Sequence, residues 1–187
     1  MKRLSMLFLM LLPAFSAFAA DERPLPADSI YQVKSLWVNS AGKRQPLATM
    51  FRGHPVVISM VYLGCQYSCP LTISHMQQIA GALPDTLKSS VTFVLVSFDP
   101  AHDTPKAMRA YEKKRHIKPP QWNFITTPSD SDIRELAALL DFKYKQTGDG
   151  EFDHSMTLIA LDSDGVIKGH VDGVDSRPEE LIPLLGK

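Results

Sequence analysis

The chain of 187 residues sets 20 Lys and Arg against 20 Asp and Glu and is 44% hydrophobic. Such a balance gives no sign of a nucleic-acid or membrane-surface partner, which would call for a basic excess. The length suits one domain with a proper core.

The chain opens Met1-Lys2-Arg3, runs through an apolar stretch from Leu4 to Phe18 and reaches Ala17-Phe18-Ala19. A basic start, an apolar core and an Ala-x-Ala site read as a secretory signal peptide over residues 1–19, cut after Ala19. The apolar stretch is short for a membrane span, which needs about 20 residues. With no cysteine at the cut, a lipid anchor there is not expected. Cleavage takes out Lys2 and Arg3 and leaves 168 of the 187 residues, with acidic side chains slightly in excess. The expectation is an exported, periplasmic, soluble protein in an oxidising compartment. Residues 20–29, with Pro24 and Pro26, read as an extended leader before one domain over 30–187.

Alternation from Ile30 to Val38, followed by Asn39-Ser40-Ala41-Gly42, predicts a strand, a turn and a returning strand. Val56–Tyr62 and Val91–Phe98 are unbroken, β-branched apolar runs, as parallel strands covered on both faces require. Between them, Ile73, Met76, Ile79, Ala80 and Leu83 recur at helical spacing from Pro70, a residue at home in a first helical turn. A second helix opens at Asp103-Thr104-Pro105, with Asp103 as its cap, and runs to about His116. A third opens near Asp130 or Ser131 and carries Ile133, Leu136, Ala137 and Leu140. Thr157–Leu161, the turn Asp162-Ser163-Asp164-Gly165 and Val166–Val171 predict an antiparallel hairpin. A last helix starts near Arg177 and turns Leu181, Ile182 and Leu185 inward. Strand–helix–strand–helix, then a hairpin and a helix, is an α/β, three-layer order with a mixed sheet: a thioredoxin-like fold with an N-terminal hairpin extension.

The only cysteines, Cys65 and Cys69, stand where the first buried strand hands over to its helix. Three readings of Cys-x-x-x-Cys are open. A structural disulfide would close a tiny loop and add little stability. A redox pair would exploit the helix N-terminus, where dipole and free N–H groups favour a thiolate. A soft-metal site would engage both sulfurs. Positions four apart on a regular helix hold their Cβ atoms about 5–6 Å apart, against about 3.8 Å in a disulfide. Cys65, however, precedes the predicted helix and can swing in, so both a disulfide and a shared metal are open to this pair. His154 lies 85 residues beyond Cys69, just before an apolar strand. A loop histidine is ordinarily a solvated side chain, but in a thioredoxin-like fold this loop lies beside the cysteine loop.

Three stretches together resemble the Sco (SenC) family of copper-handling proteins: Val61-Tyr62-Leu63-Gly64-Cys65-Gln66-Tyr67-Ser68-Cys69-Pro70, Ser97-Phe98-Asp99-Pro100-Ala101-His102-Asp103-Thr104-Pro105 and Phe152-Asp153-His154-Ser155. The resemblance spans about residues 30–187. It implies a mononuclear copper site of Cys65, Cys69 and His154, one ion per chain. It also implies delivery of copper to, or thiol maintenance of, the dinuclear copper centre of cytochrome c oxidase. Met156-Thr157-Leu158 replaces the Pro-Thr-aliphatic start of this strand in ordinary thioredoxins, and Gln146–Glu151 is shorter than in many relatives. Without the usual membrane tether, access to a membrane-bound oxidase would rest on diffusion.

The donor set agrees with the resemblance. Two thiolates and an imidazole suit Cu(I), and an imidazole also suits Cu(II). Structural zinc generally wants a fourth protein ligand; His75 is expected at the surface and Met60 in the strand core. Binding needs reduced, deprotonated sulfur, so oxidation of the pair would gate loading. Asp99 is expected to order the surroundings of the site, and Asp153 either to orient His154 or to face water. Lys113-Lys114-Arg115 with Lys118 reads as a solvated helix end that could dock an acidic partner. The rival function is a periplasmic thiol–disulfide oxidoreductase working through Cys65 and Cys69, with His154 tuning a pKa. The Pro-x-x-x-Thr/Ser-x-x-Cys arrangement of a peroxidase is missing.

Overall fold

A computed structural model describes residues 23–148 and 150–186. The expected signal segment and its cut lie outside the described residues. Among these, no helix is long and apolar enough to cross a membrane.

The two apolar runs form the centre of a seven-stranded sheet. Strand β3 (Val56–Val61) is buried at every position and pairs in parallel with β4 (Thr92–Ser97). Both faces of these strands are covered, which is why the hydrophobic pattern is continuous and does not alternate. On the far side of β4, β5 (Trp122–Thr126) pairs in parallel, and β1 (Trp37–Asn39) closes on β5 antiparallel, with β2 (Arg44–Gln45) at the edge. On the other side of β3, β8 (Thr157–Leu161) and β9 (Ile167–Asp172) continue antiparallel. The order β2-β1-β5-β4-β3-β8-β9 is a mixed sheet, as expected. A separate two-stranded ribbon pairs β6 (Tyr144–Gln146) with β7 (Phe152–His154).

Two local expectations give way. Ile30–Gln32 is a turn of 3₁₀ helix, capped by the Ser29 side chain, and the strand is confined to Trp37–Asn39. Ile30 and Tyr31 are both buried, which a strand lying on one face of a sheet could not achieve. The hairpin itself is present, turned by Gly42 at φ +84°, whose N–H donates to the Asn39 carbonyl. At the other end Pro178–Leu184 is a 3₁₀ segment and not an α-helix. Pro183 in its interior removes a backbone donor that α-helical pairing would use. Leu181 and Leu185 are nevertheless buried, with Ile182 partly so, against the core.

Helix α2 (Ser68–Ala82) packs with this C-terminal segment and with β3 and β8. It begins two residues earlier than Pro70 suggested, so Cys69 already belongs to its first turn. Four further helices lie among the described residues: α1 (Leu47–Phe51), α3 (Asp85–Lys88), α4 (Pro105–Arg115) and α5 (Asp130–Leu139). The cap of α4 is Thr104, whose hydroxyl accepts from the Ala107 N–H, and Asp103 is released for another task. α5 is capped by Ser129 through the Asp132 N–H. Trp37, Phe93 and Phe124 are among the largest fully buried side chains, and the Phe93 and Trp122 rings stack at 4.5 Å.

Candidate metal centre

The site forms where β3 ends, α2 begins and the β6–β7 ribbon folds over. Tyr67, at the N-cap position of α2, makes no capping bond with its side chain. The cap is a sulfur instead: the Cys69 N–H donates to Cys65 Sγ at 3.3 Å. Cys69 Sγ lies behind it, 1% exposed, accepting from the Tyr62 N–H at 3.5 Å. Neither cysteine is in a disulfide.

His154 closes the group. Its Nδ1 donates to the Ser155 carbonyl at 2.7 Å, which points the Nε2 lone pair at the sulfurs. Nε2 stands 3.9 Å from Cys65 Sγ and 3.8 Å from Cys69 Sγ, and the three ligand atoms lie within 4.8 Å of one another. Metal–ligand distances of about 2.0 Å to nitrogen and about 2.3 Å to sulfur leave a nitrogen and a sulfur of one ion up to about 4.3 Å apart, and two sulfurs up to about 4.6 Å. These separations therefore suit a shared ion with little adjustment. Among the described residues no fourth Cys, His, Asp or Glu joins them. Ser68 Oγ sits between Cys65 Sγ (3.2 Å) and His154 Nε2 (3.0 Å), with one hydroxyl proton for two acceptors. Tyr62, Phe98 and Phe142 surround the imidazole at ring separations of 5.8, 5.4 and 6.0 Å. An open depression of about 580 Å³ gives access, lined by Cys65, Tyr67, Ser68, Glu151, Asp153 and His154 among others. Tyr67, between the cysteines in sequence, is 88% exposed at its rim.

The two thiols are electrostatically unequal. Burial pushes Cys65 up, but hydrogen bonds led by those from the Ser68 hydroxyl and the Cys69 N–H prevail and bring it down to about 6. Burial pushes Cys69 well above the usual thiol range, with the charges of Cys65 and Asp103 adding to it, and the Tyr62 N–H offsets only part. In the metal-free, reduced protein, site-resolved alkylation followed by mass spectrometry should show Cys65 reacting with a midpoint near pH 6. Cys69 should remain slow throughout the neutral range.

Of the other sequence candidates, Asp99 engages a neighbour: its carboxylate accepts from His102 Nδ1 at 2.8 Å. Asp153 is exposed on the ribbon, and the Ser155 carbonyl, not Asp153, receives the His154 Nδ1–H. His75 is 6% exposed among Ile73 and Met76, correcting its expected place at the surface. Met60 is in the strand core, as expected. Asp103, expected to cap a helix, is buried and its Oδ2 accepts from the Leu63 N–H at 3.0 Å and the Ser97 hydroxyl at 2.6 Å. It thereby ties the cysteine loop to the end of β4. Sequence reasoning missed Ser68, Tyr62 and Ser155 as site residues. Ser68 lay inside the motif, but nothing in its spacing showed that its hydroxyl would bridge sulfur and imidazole.

A thioredoxin-like fold with a dithiol at a helix N-terminus and an imidazole facing it defines a dithiol–imidazole member of that fold class. The chain belongs to the SCO1/SenC family, whose model matches residues 37–185. A Stutzerimonas stutzeri protein named for copper binding is 27% identical over 133 residues, 68% of this chain and 63% of its own length. The chain thus spans less than two thirds of that relative. The solved structure of Bradyrhizobium japonicum ScoI with copper bound superposes with a TM-score of 0.61 at 22% identity, covering 81% of this chain and 94% of ScoI. BsSco, described with a disulfide switch as a member of the Sco family of cytochrome c oxidase assembly proteins, superposes at 0.67 with 22% identity, covering 81% of this chain and 89% of BsSco.

Proposed function

We propose that this chain is a periplasmic copper metallochaperone, in which Cys65, Cys69 and His154 hold one copper ion as cargo. The observation that carries this reading is the meeting of two free sulfurs and a correctly oriented Nε2 within 4.8 Å, from segments 85 residues apart. Two sulfurs and one nitrogen make a soft set, suited to Cu(I) through the thiolates and to Cu(II) through the imidazole. The copper-bound ScoI and the copper-named relative support the choice of metal. The assignment of BsSco to the cytochrome c oxidase assembly proteins supports a recipient of the same kind: the copper-bearing subunit of cytochrome c oxidase. The cargo leaves by stepwise ligand exchange, with incoming donors reaching it through the depression beside Tyr67.

The unequal thiols favour a second activity on the same residues. The Cys65 thiolate attacks one sulfur of a target disulfide, forming a mixed disulfide and releasing the first target thiol. Cys69 then attacks Cys65 Sγ, closing the Cys65–Cys69 disulfide and releasing the second thiol. Two electrons pass to the target, and the oxidised pair no longer binds copper. Maintenance of the oxidase's copper-site thiols would be such a reaction.

Anaerobic copper titration of the reduced protein, read by absorption and electron spin resonance, separates the two. The parent should take up one equivalent. His154→Ala should weaken retention about 10- to 100-fold, in the range seen when a site's supporting contacts are lost or beyond it, while the dithiol stays redox-active. If His154→Ala holds copper as tightly as the parent but loses reductase activity, the chaperone reading is wrong.

A further inference from the structure

The three donors are not held alike. Both sulfurs belong to one continuous turn and are at most 8% exposed, whereas His154 arrives half-buried on a ribbon outside the seven-stranded sheet. Two kinds of contact seat the ribbon on the body of the protein beside the site. One is aromatic: Tyr62 meets Phe152 at 5.1 Å and His154 at 5.8 Å, and Phe98 meets the same two rings at 5.3 and 5.4 Å. The other is polar: the Tyr62 hydroxyl donates to Glu151 Oε2 at 2.6 Å, joining residues 89 apart in sequence.

These contacts do different things. Ring packing is non-directional and tolerates a slide of the ribbon along the cluster. A charge-assisted hydrogen bond fixes distance and direction. Tyr62 is the residue that follows β3, three positions before Cys65, and its own N–H holds Cys69 Sγ. Glu151 immediately precedes β7, three positions before His154. Its own carbonyl accepts from the Thr147 N–H at 2.8 Å, so the hairpin tip is already closed around it. The bond therefore links the scaffold of the sulfurs to the scaffold of the imidazole.

We infer that Glu151 is a positioning residue: through its hydrogen bond to Tyr62 it sets where the ribbon holds His154 above the two sulfurs. Resting on the chaperone reading, this also names the order of cargo release. The imidazole, on the ribbon, leaves first when the Tyr62–Glu151 bond opens; Cys65, the more exposed of the two sulfurs, follows, and Cys69 leaves last.

Three variants test this. Tyr62→Phe keeps the ring and removes the hydroxyl, Glu151→Ala removes the acceptor, and Glu151→Gln keeps an acceptor. In the metal-free, reduced protein, hydrogen–deuterium exchange of the amides of 144–146 and 152–154 should accelerate roughly threefold to tenfold in Tyr62→Phe and Glu151→Ala, the net worth of one ordinary hydrogen bond. Cu(I) transfer from the loaded protein to excess bathocuproine disulfonate should accelerate by the same factor. Glu151→Gln, which keeps an acceptor but loses the charge, should fall between the parent and Glu151→Ala, and the double variant Tyr62→Phe/Glu151→Ala should be no faster than either single one. Parent-like exchange in Tyr62→Phe, or effects that multiply in the double variant, would overturn the inference. A chain that binds no copper would sink the chaperone reading alone, since the exchange experiment still decides the role of Glu151.

Discussion

Cys69→Ser is expected to lose copper retention by more than about 100-fold in Cu(I) competition against a chelator of known affinity. Loss of a contact that merely supports a ligand commonly costs 10- to 100-fold, and Cys69 is proposed as a ligand itself. A serine hydroxyl is a hard donor that stays protonated at neutral pH, so it cannot replace the thiolate toward a soft ion. Nor can water substitute easily, because Cys69 is 1% exposed beneath the turn. The fold should survive, since serine is close in shape and can accept the Tyr62 N–H that now meets the sulfur. An unchanged unfolding midpoint would show that the loss belongs to the site. The same variant tests the redox activity in the opposite direction: with no second thiol to resolve it, Cys65 should accumulate as a mixed disulfide with a model substrate. Copper retention within tenfold of the parent would exclude the Cys65–Cys69–His154 site.

Asp103→Ala should destabilise the metal-free protein by about 2–4 kcal/mol in urea unfolding. The change strands two buried donors, the Leu63 N–H and the Ser97 hydroxyl, and each orphan costs about 1–3 kcal/mol. Asp103→Asn keeps an acceptor oxygen and should cost less. The pH profile supplies an independent signature. Burial raises the Asp103 carboxyl above its usual value, more than the hydrogen bonds from Ser97 and Leu63 lower it. The folded chain then binds this proton more tightly than the unfolded chain does. Its contribution to stability is full below the ordinary carboxylate range of about 4 and is lost as pH rises through the raised value. Asp103→Asn should flatten that part of the profile. Because Asp103 anchors the cysteine loop to β4, Asp103→Ala should also slow copper uptake.

Much of the architecture could be read from the chain because it rests on local pattern. The unbroken runs at Val56 and Val91 could bury both faces only inside a covered parallel sheet, and they do. The polar connection around Asp162–Gly165 announced the β8–β9 hairpin. Where a local signal had two physical outcomes, the reading failed. Alternation at Ile30–Val38 suits a strand, yet a capped 3₁₀ turn buries Ile30 and Tyr31 better. Asp103 beside Thr104-Pro105 suits a helix cap, yet Thr104 takes that post and frees the carboxylate for the cysteine loop. β5, a short run following Pro119-Pro120, gave too little pattern to distinguish it from a loop.

The sequence alone determined which atoms could form the centre: two thiols at a strand-to-helix junction and one histidine ahead of a late strand. Residue type and position along the chain carry that much, because donor chemistry is a property of the side chain. Only the tertiary structure decided that these three meet, and that they do so with unequal thiols, a Ser155-oriented ring, a bridging Ser68 hydroxyl and a ribbon tied down through Tyr62 and Glu151. Those properties come from distances between groups up to 89 residues apart, and such distances are set by the packing of the whole sheet and its helices.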